Sequence, residues 1–112
     1  MKNGFWVAWI LSLCLVTNLQ ATEKEKPVTE TIHVKGNCGT CKKTIEGALH
    51  IKAVKKARWD EESKILTVSY YASQITNDSI QHRVANAGYD TEKFKASESA
   101  YNNLHACCKY DR

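Results

Sequence analysis

No proline follows Pro27 in this chain of 112 residues. A redox site that needs a cis-proline facing its disulfide therefore has no residue to build it from. Positive charge gathers only at Lys42-Lys43 and Lys55-Lys56, with 16 Lys+Arg against 12 Asp+Glu. Such scattered charge suits a solvated surface and gives no case for nucleic acid. No apolar run reaches the ~20 residues of a membrane span. The longest, 5–16, is broken by Ser12. No internal repeat is present. No acid–base constellation stands out either, so the chain reads as a non-enzyme without a small-molecule substrate.

The short apolar run has another use. Residues 1–21 read as a secretory signal peptide: Lys2 supplies the positive start, 5–16 the apolar centre and Ala21 the cleavage site. The expectation is an exported, periplasmic protein; an uncleaved leader would instead anchor it to the membrane. Leu11-Ser12-Leu13 fits a lipidation signal poorly, so Cys14 reads as ordinary leader. Residues 22–30, polar and holding Pro27, read as a flexible linker.

Periodicity then gives six elements. Residues 31–35 alternate, with Ile32 and Val34 on one face, as a strand does. Thr40 or Gly39 can cap a helix whose apolar stripe is Cys41, Ile45, Ala48 and Leu49. Residues 54–60 read as a second strand with Ala57 and Trp59 on one face. Glu61-Glu62-Ser63-Lys64 turns into a third with Leu66, Val68 and Tyr70 inward. Thr76 caps a second helix, with Ile75 and Ile80 placed as a hydrophobic staple. Ile80, Val84 and Ala87 form its stripe, and Gly88 ends it. Residues 91–96 read as a last strand with Phe94 inward. The order strand, helix, strand, strand, helix, strand predicts an α+β ferredoxin-like sandwich, an antiparallel sheet with two helices on one face.

The chemistry gathers at the first strand-to-helix turn, Gly36-Asn37-Cys38-Gly39-Thr40-Cys41. Two thiols three positions apart on such a turn can point at one soft metal ion. Helix amide groups there lower the pKa of a nearby thiol. Lys42 and Lys43 are placed to add to that effect. Two thiolates suit copper(I) or mercury(II), whereas zinc(II) usually takes four ligands. A Cys38–Cys41 disulfide would close too small a loop to stabilise much.

Residues 31–96 resemble the heavy-metal-associated domain of copper chaperones, metal-pumping ATPases and periplasmic mercury-binding proteins. The resemblance rests on Cys38-x-x-Cys41 after the first strand, Lys42-Lys43-Thr44-Ile45 at the helix start and Ala87-Gly88-Tyr89 after the second helix. It implies a metal ion bound by Cys38 and Cys41 and passed by ligand exchange to a partner such as a metal-transporting ATPase or efflux system. The usual loop carries a methionine two residues before the first cysteine, plugging the core beneath. Here that position is Gly36, a departure that bears on loop rigidity and metal preference. Tyr89 is expected at the same end as Cys38, either shielding the metal or filling the core.

Residues 97–112 extend past the domain as a tail and carry His105-Ala106-Cys107-Cys108. The expected last strand ends roughly 18 Å from Cys38. Ten extended residues reach ~33 Å and ten helical ones about 15 Å, so the tail is long enough to return. Cys107, Cys108 and His105 are candidate further ligands: they can complete the chain's own site, hold a second metal or meet a partner. A vicinal disulfide or a disordered tail is the alternative. His33, His50 and His82 read as solvated, and Trp59, Tyr70 and Phe94 as core.

The leading functional reading is an exported soft-metal carrier for copper(I), with mercury(II) or zinc(II) as other cargo. A thiol–disulfide oxidoreductase and a metal-sensing adaptor of a membrane transporter are the competing classes.

Overall fold

The structure, a computed structural model, describes residues 24–112, so the expected leader and Cys14 lie outside the described residues. β1 (Val28–His33), β2 (Val54–Trp59) and β3 (Ile65–Tyr70) form an antiparallel sheet in the order β1-β3-β2. β1 begins inside the segment expected as linker. Val28 pairs with Tyr70 and Glu30 with Val68, while the Thr29 and Ser69 hydroxyls meet at 2.8 Å. The central strand β3 thus has enough length to order those residues. The hairpin between β2 and β3 closes where Asp60 accepts from the amides of Lys64 and Ser63, with Lys64 in the left-handed region at φ 63°.

α1 (Gly39–Ala48) and α2 (Asn77–Asn86) supply the other half of the core. Ile45 of α1 and its C-cap Leu49, Ile80 and Val84 of α2, and Ile32, Leu66, Val68 and Trp59 of the sheet are all buried. This is the expected arrangement, with the 3.6 and 2.0 periodicities meeting in one apolar layer. The Thr76 hydroxyl accepts from the Ser79 amide as the cap of α2. Among the described residues, no helix is long and apolar enough to cross a membrane.

The expected fourth strand is reduced to a single bridge, Val34 with Thr91. The backbone there is used locally. The Thr91 amide donates to the Phe94 carbonyl at 2.8 Å, and Gln81 Oε1 accepts from the Thr91 hydroxyl and the Lys93 amide at 2.8 and 3.0 Å. The Ala96 amide turns to Asp90 Oδ1 at 2.8 Å. A segment whose polar groups are satisfied by a turn and by side chains has no need of a ladder. Phe94 accordingly does not enter the core; it stacks on the exposed His82 ring at 3.7 Å between centroids.

The tail is folded. α3 (Glu98–Asn102) is capped by the Ser97 hydroxyl, and a 3₁₀ turn (Ala106–Cys108) follows. Its path runs against Gly88, which has φ 110°. A Cβ there would stand 2.8 Å from Leu104 and 2.9 Å from the Ala100 carbonyl. Glycine is therefore required both to end α2 and to let the tail approach.

Under the thiol-bearing turn lies Trp59. Its indole is fully buried, donates from Nε1 to the Val34 carbonyl at 3.0 Å and reaches beneath Gly36, where a Cβ would meet the ring at 2.9 Å. The indole thus fills the space that the resemblance assigns to a methionine. Glu46 ties the same region together, accepting from the Trp59 amide and the Lys42 ammonium at 2.8 and 2.7 Å. Trp59→Ala should cost about 3–5 kcal/mol of folding stability, the range for removing a buried large aromatic. Urea unfolding would check this, and a loss under ~1 kcal/mol would show that the space collapses freely.

Candidate metal centre

Cys38 occupies the N-cap of α1, and Gly39 is the first helical residue, so neither expected cap residue takes that place. The open amides of the first turn face a sulfur. Cys41 lies one turn further in and is fully buried. The two Sγ atoms stand 3.7 Å apart, and the Asn37 amide points at the Cys41 sulfur at 3.5 Å.

The third sulfur comes from the tail. Cys108 Sγ lies 3.9 Å from Cys38 Sγ, and the three sulfurs of Cys38, Cys41 and Cys108 all lie within 4.8 Å of one another. The two cysteines of the 3₁₀ turn differ in burial. Cys108 is buried against the core, whereas Cys107 is exposed with its sulfur 4.0 Å from that of Cys108. Cys107 meets the site through its carbonyl, which accepts from the Cys38 thiol at 3.6 Å. His105 is exposed and stands apart from the three sulfurs. His33, His50 and His82 are exposed as well. Among the described residues, Cys38, Cys41, Cys107 and Cys108 are all free thiols.

The thiols differ sharply in acidity. The Cys41 amide at the helix start, followed by the Cys107 side chain and the Thr40 amide, pulls the Cys38 thiol down to about 6. Burial pushes Cys108 up to about 12, and neighbouring Cys41 adds to that. The Lys42 ammonium is engaged by Glu46 and the Trp59 carbonyl at 2.7 and 2.8 Å, and the helix-start amides lead the effect on Cys38. An ion arriving at the site would meet a ready thiolate in Cys38, and any thiol that came to ligate it would lose its proton.

Tyr89 stands beside these sulfurs, as its place after α2 predicts. It is fully buried, and its hydroxyl has no hydrogen-bond partner among the described residues. Burial, with the Cys108 and Cys41 thiols alongside, raises the phenol above its ordinary range. It therefore keeps its proton and can donate a hydrogen bond to a neighbouring sulfur.

The sequence reading missed what holds the tail in place. Tyr110 is buried; its hydroxyl donates to the Gly88 carbonyl and accepts from the Asp90 amide, both at 2.8 Å. Arg112 forms a pair with Asp90 at 2.9 and 3.1 Å, donates to the Ala96 carbonyl at 2.7 Å and covers the Tyr101 ring at 4.7 Å. The Tyr101 hydroxyl in turn donates to the Tyr110 carbonyl at 2.6 Å. Two tyrosines and an arginine flanking a cysteine pair were the available sign of a docked segment.

The profile of the heavy-metal-associated domain matches residues 31–90. Among solved structures, a CopZ metallochaperone is 30% identical with a TM-score of 0.55, over 57% of this chain and 98% of its own. The amino-terminal domain of the zinc(II) ATPase ZiaA is 30% identical with a TM-score of 0.51, over 71% of this chain and 79% of its own. Oxidised MerP from Ralstonia metallidurans CH34 shares the fold at 20% identity and a TM-score of 0.50, over 58% of this chain and 96% of its own. No curated protein matches the chain.

The acidity difference can be read directly. Alkylation of metal-free, reduced protein should modify Cys38 with a midpoint near pH 6 and leave Cys108 untouched at neutral pH. Reactivity at Cys38 then persists well below the ~8.5 of a free cysteine and falls away as the pH drops through its own midpoint. Peptide mapping against pH would check it; a Cys38 midpoint near that of free cysteine would refute the helix-terminus effect.

Proposed function

The chain belongs to the heavy-metal-associated domain family, and from that premise we propose that it carries a soft metal ion, copper(I) foremost, between Cys38 and Cys41 and hands it on by ligand exchange. The observation that carries this reading is the pair itself. Two free sulfurs stand 3.7 Å apart at a helix N-terminus, one half-exposed and acidic, the other buried. The exposed thiolate can capture an ion and later yield to an incoming thiolate, while the buried one keeps hold during the exchange.

The donor set favours copper(I) over zinc(II). Thiolates suit both copper(I) and zinc(II), so the number of ligands decides. Zinc wants a fourth ligand, and the cluster of possible ligands at this place holds three cysteines and no histidine or carboxylate. Mercury(II) shares the preference for sulfur and is the runner-up. The proposed setting is the periplasm, reached by the leader, with bound metal protecting the thiols from oxidation. The proposed acceptor is a metal-transporting ATPase or efflux system that presents its own thiolates to Cys38. The low pKa of Cys38 also favours thiol–disulfide exchange as a second reading, which insulin reduction would detect.

Anaerobic competition titrations with copper(I) and zinc(II), read by native mass spectrometry, test the main reading. One tightly held copper(I) per chain is expected, with zinc(II) weaker, and Cys38→Ala/Cys41→Ala should abolish the tight site. Absence of tight copper(I) binding by fully reduced protein would sink the copper assignment and bring mercury(II) forward.

A further inference from the structure

We infer that the carboxy-terminal segment is part of the metal centre: Cys108 is a third thiolate, and the ion is held in a trigonal three-sulfur site that the chain closes with its own tail. This rests on the Cys38–Cys41 site proposed above and deepens it.

The sulfur spacing carries the argument first. With metal–sulfur bonds of ~2.3 Å, a trigonal site places its sulfurs about 4 Å apart, whereas a linear two-sulfur site needs about 4.6 Å. Cys38 stands 3.7 Å from Cys41 and 3.9 Å from Cys108. The pair is too close for linear coordination and suits a third ligand, and the third sulfur is at hand.

The tail is built to hold it there. It is anchored on both sides of Cys108: upstream Leu104 packs against Gly88, and downstream Tyr110 and Arg112 are bonded to Gly88, Asp90 and Ala96. The Cys108 amide donates to the His105 carbonyl at 2.8 Å, which fixes the turn itself. The ordering entropy of the third ligand is thus met in folding and not at the moment of binding. Tyr89 is the second, independent sign. A buried hydroxyl without a partner costs about 1–3 kcal/mol, and this one lies beside Cys108 and Cys41. A metal-bound thiolate there would accept a hydrogen bond from it and satisfy it, as an outer partner that steadies a ligand. Cys107 is left out because its exposed sulfur is not one of the three that gather within 4.8 Å of one another.

The test uses the full chain, reduced, loaded with one equivalent of copper(I) in thiol-free buffer. The X-ray absorption spectrum of the wild type should show three sulfurs about the copper. Cys108→Ser should show two and bind copper(I) about 100-fold more weakly, the scale of a lost tethered contact. A small thiol at millimolar concentration, comparable to the effective concentration of a tethered one, should restore the three-sulfur spectrum of that variant. Cys107→Ser should behave as wild type. Tyr89→Phe should keep three sulfurs with about tenfold weaker binding.

A two-sulfur spectrum for the wild type overturns the inference while leaving the Cys38–Cys41 carrier intact, and that reading needs no variant to fold. Equal losses in Cys107→Ser and Cys108→Ser also overturn it. Failure of the wild type to bind copper(I) at all overturns the parent reading and this one with it.

Discussion

The indole of Trp59 is what the thiol-bearing loop rests on. It is fully buried at the end of β2, lies directly beneath Gly36 and donates to the Val34 carbonyl at 3.0 Å. One flat side chain thereby sets the height of the loop, the exit of β1 and the floor under Cys41. Glu46 adds the helix to the same support by accepting from the Trp59 amide. With the loop held from below, the start of α1 aims its open amides at Cys38, and these lead in making the thiol acidic. The size of the indole explains Gly36: any side chain would strike the ring.

A second support comes from the end of the chain. Asp90 is buried, and its carboxylate is met by the Arg112 guanidinium and the Ala96 amide, which together hold it below the ordinary carboxylate range despite burial. A buried charge of this kind is tolerable only when paired and hydrogen-bonded. The consequence is spatial: Arg112 must sit against Asp90, so Tyr110 sits against Gly88 and Cys108 against Cys38. The tail contributes to the core, since Cys108 and Tyr110 are part of its apolar cluster. Domain and tail are one folded body around the sulfurs.

Much of this was legible in the sequence because it depends on local period and local chemistry. The Cys38-x-x-Cys41 spacing, the stripes of α1 and α2, the alternation of Leu66, Val68 and Tyr70, and the Thr76 cap each follow from side chains a few positions apart. The last strand was misread for a reason outside that range. Residues 91–96 alternate well enough, but Gln81 of α2 reaches across to Thr91 and Lys93 and holds them in a turn. Phe94 was then free to leave the core for the ring of His82. Likewise β1 starts early because β3 offers Tyr70 and Ser69 as partners, which Val28 and Thr29 alone do not announce.

The sequence by itself determined the family, the two loop thiols and the apolar layer that carries them, since these rest on residue type and spacing along a single strand or helix. Only the tertiary structure decided which of the tail's candidates reach the site. Cys107 and Cys108 are adjacent and chemically identical, and His105 nearby offers a further ligand type. The 3₁₀ turn, pinned by Tyr110 and Arg112, buries the Cys108 sulfur beside Cys38 and Cys41 and leaves Cys107 exposed. That choice belongs to contacts formed with Gly88 and Asp90, far away in sequence, and to the burial they impose.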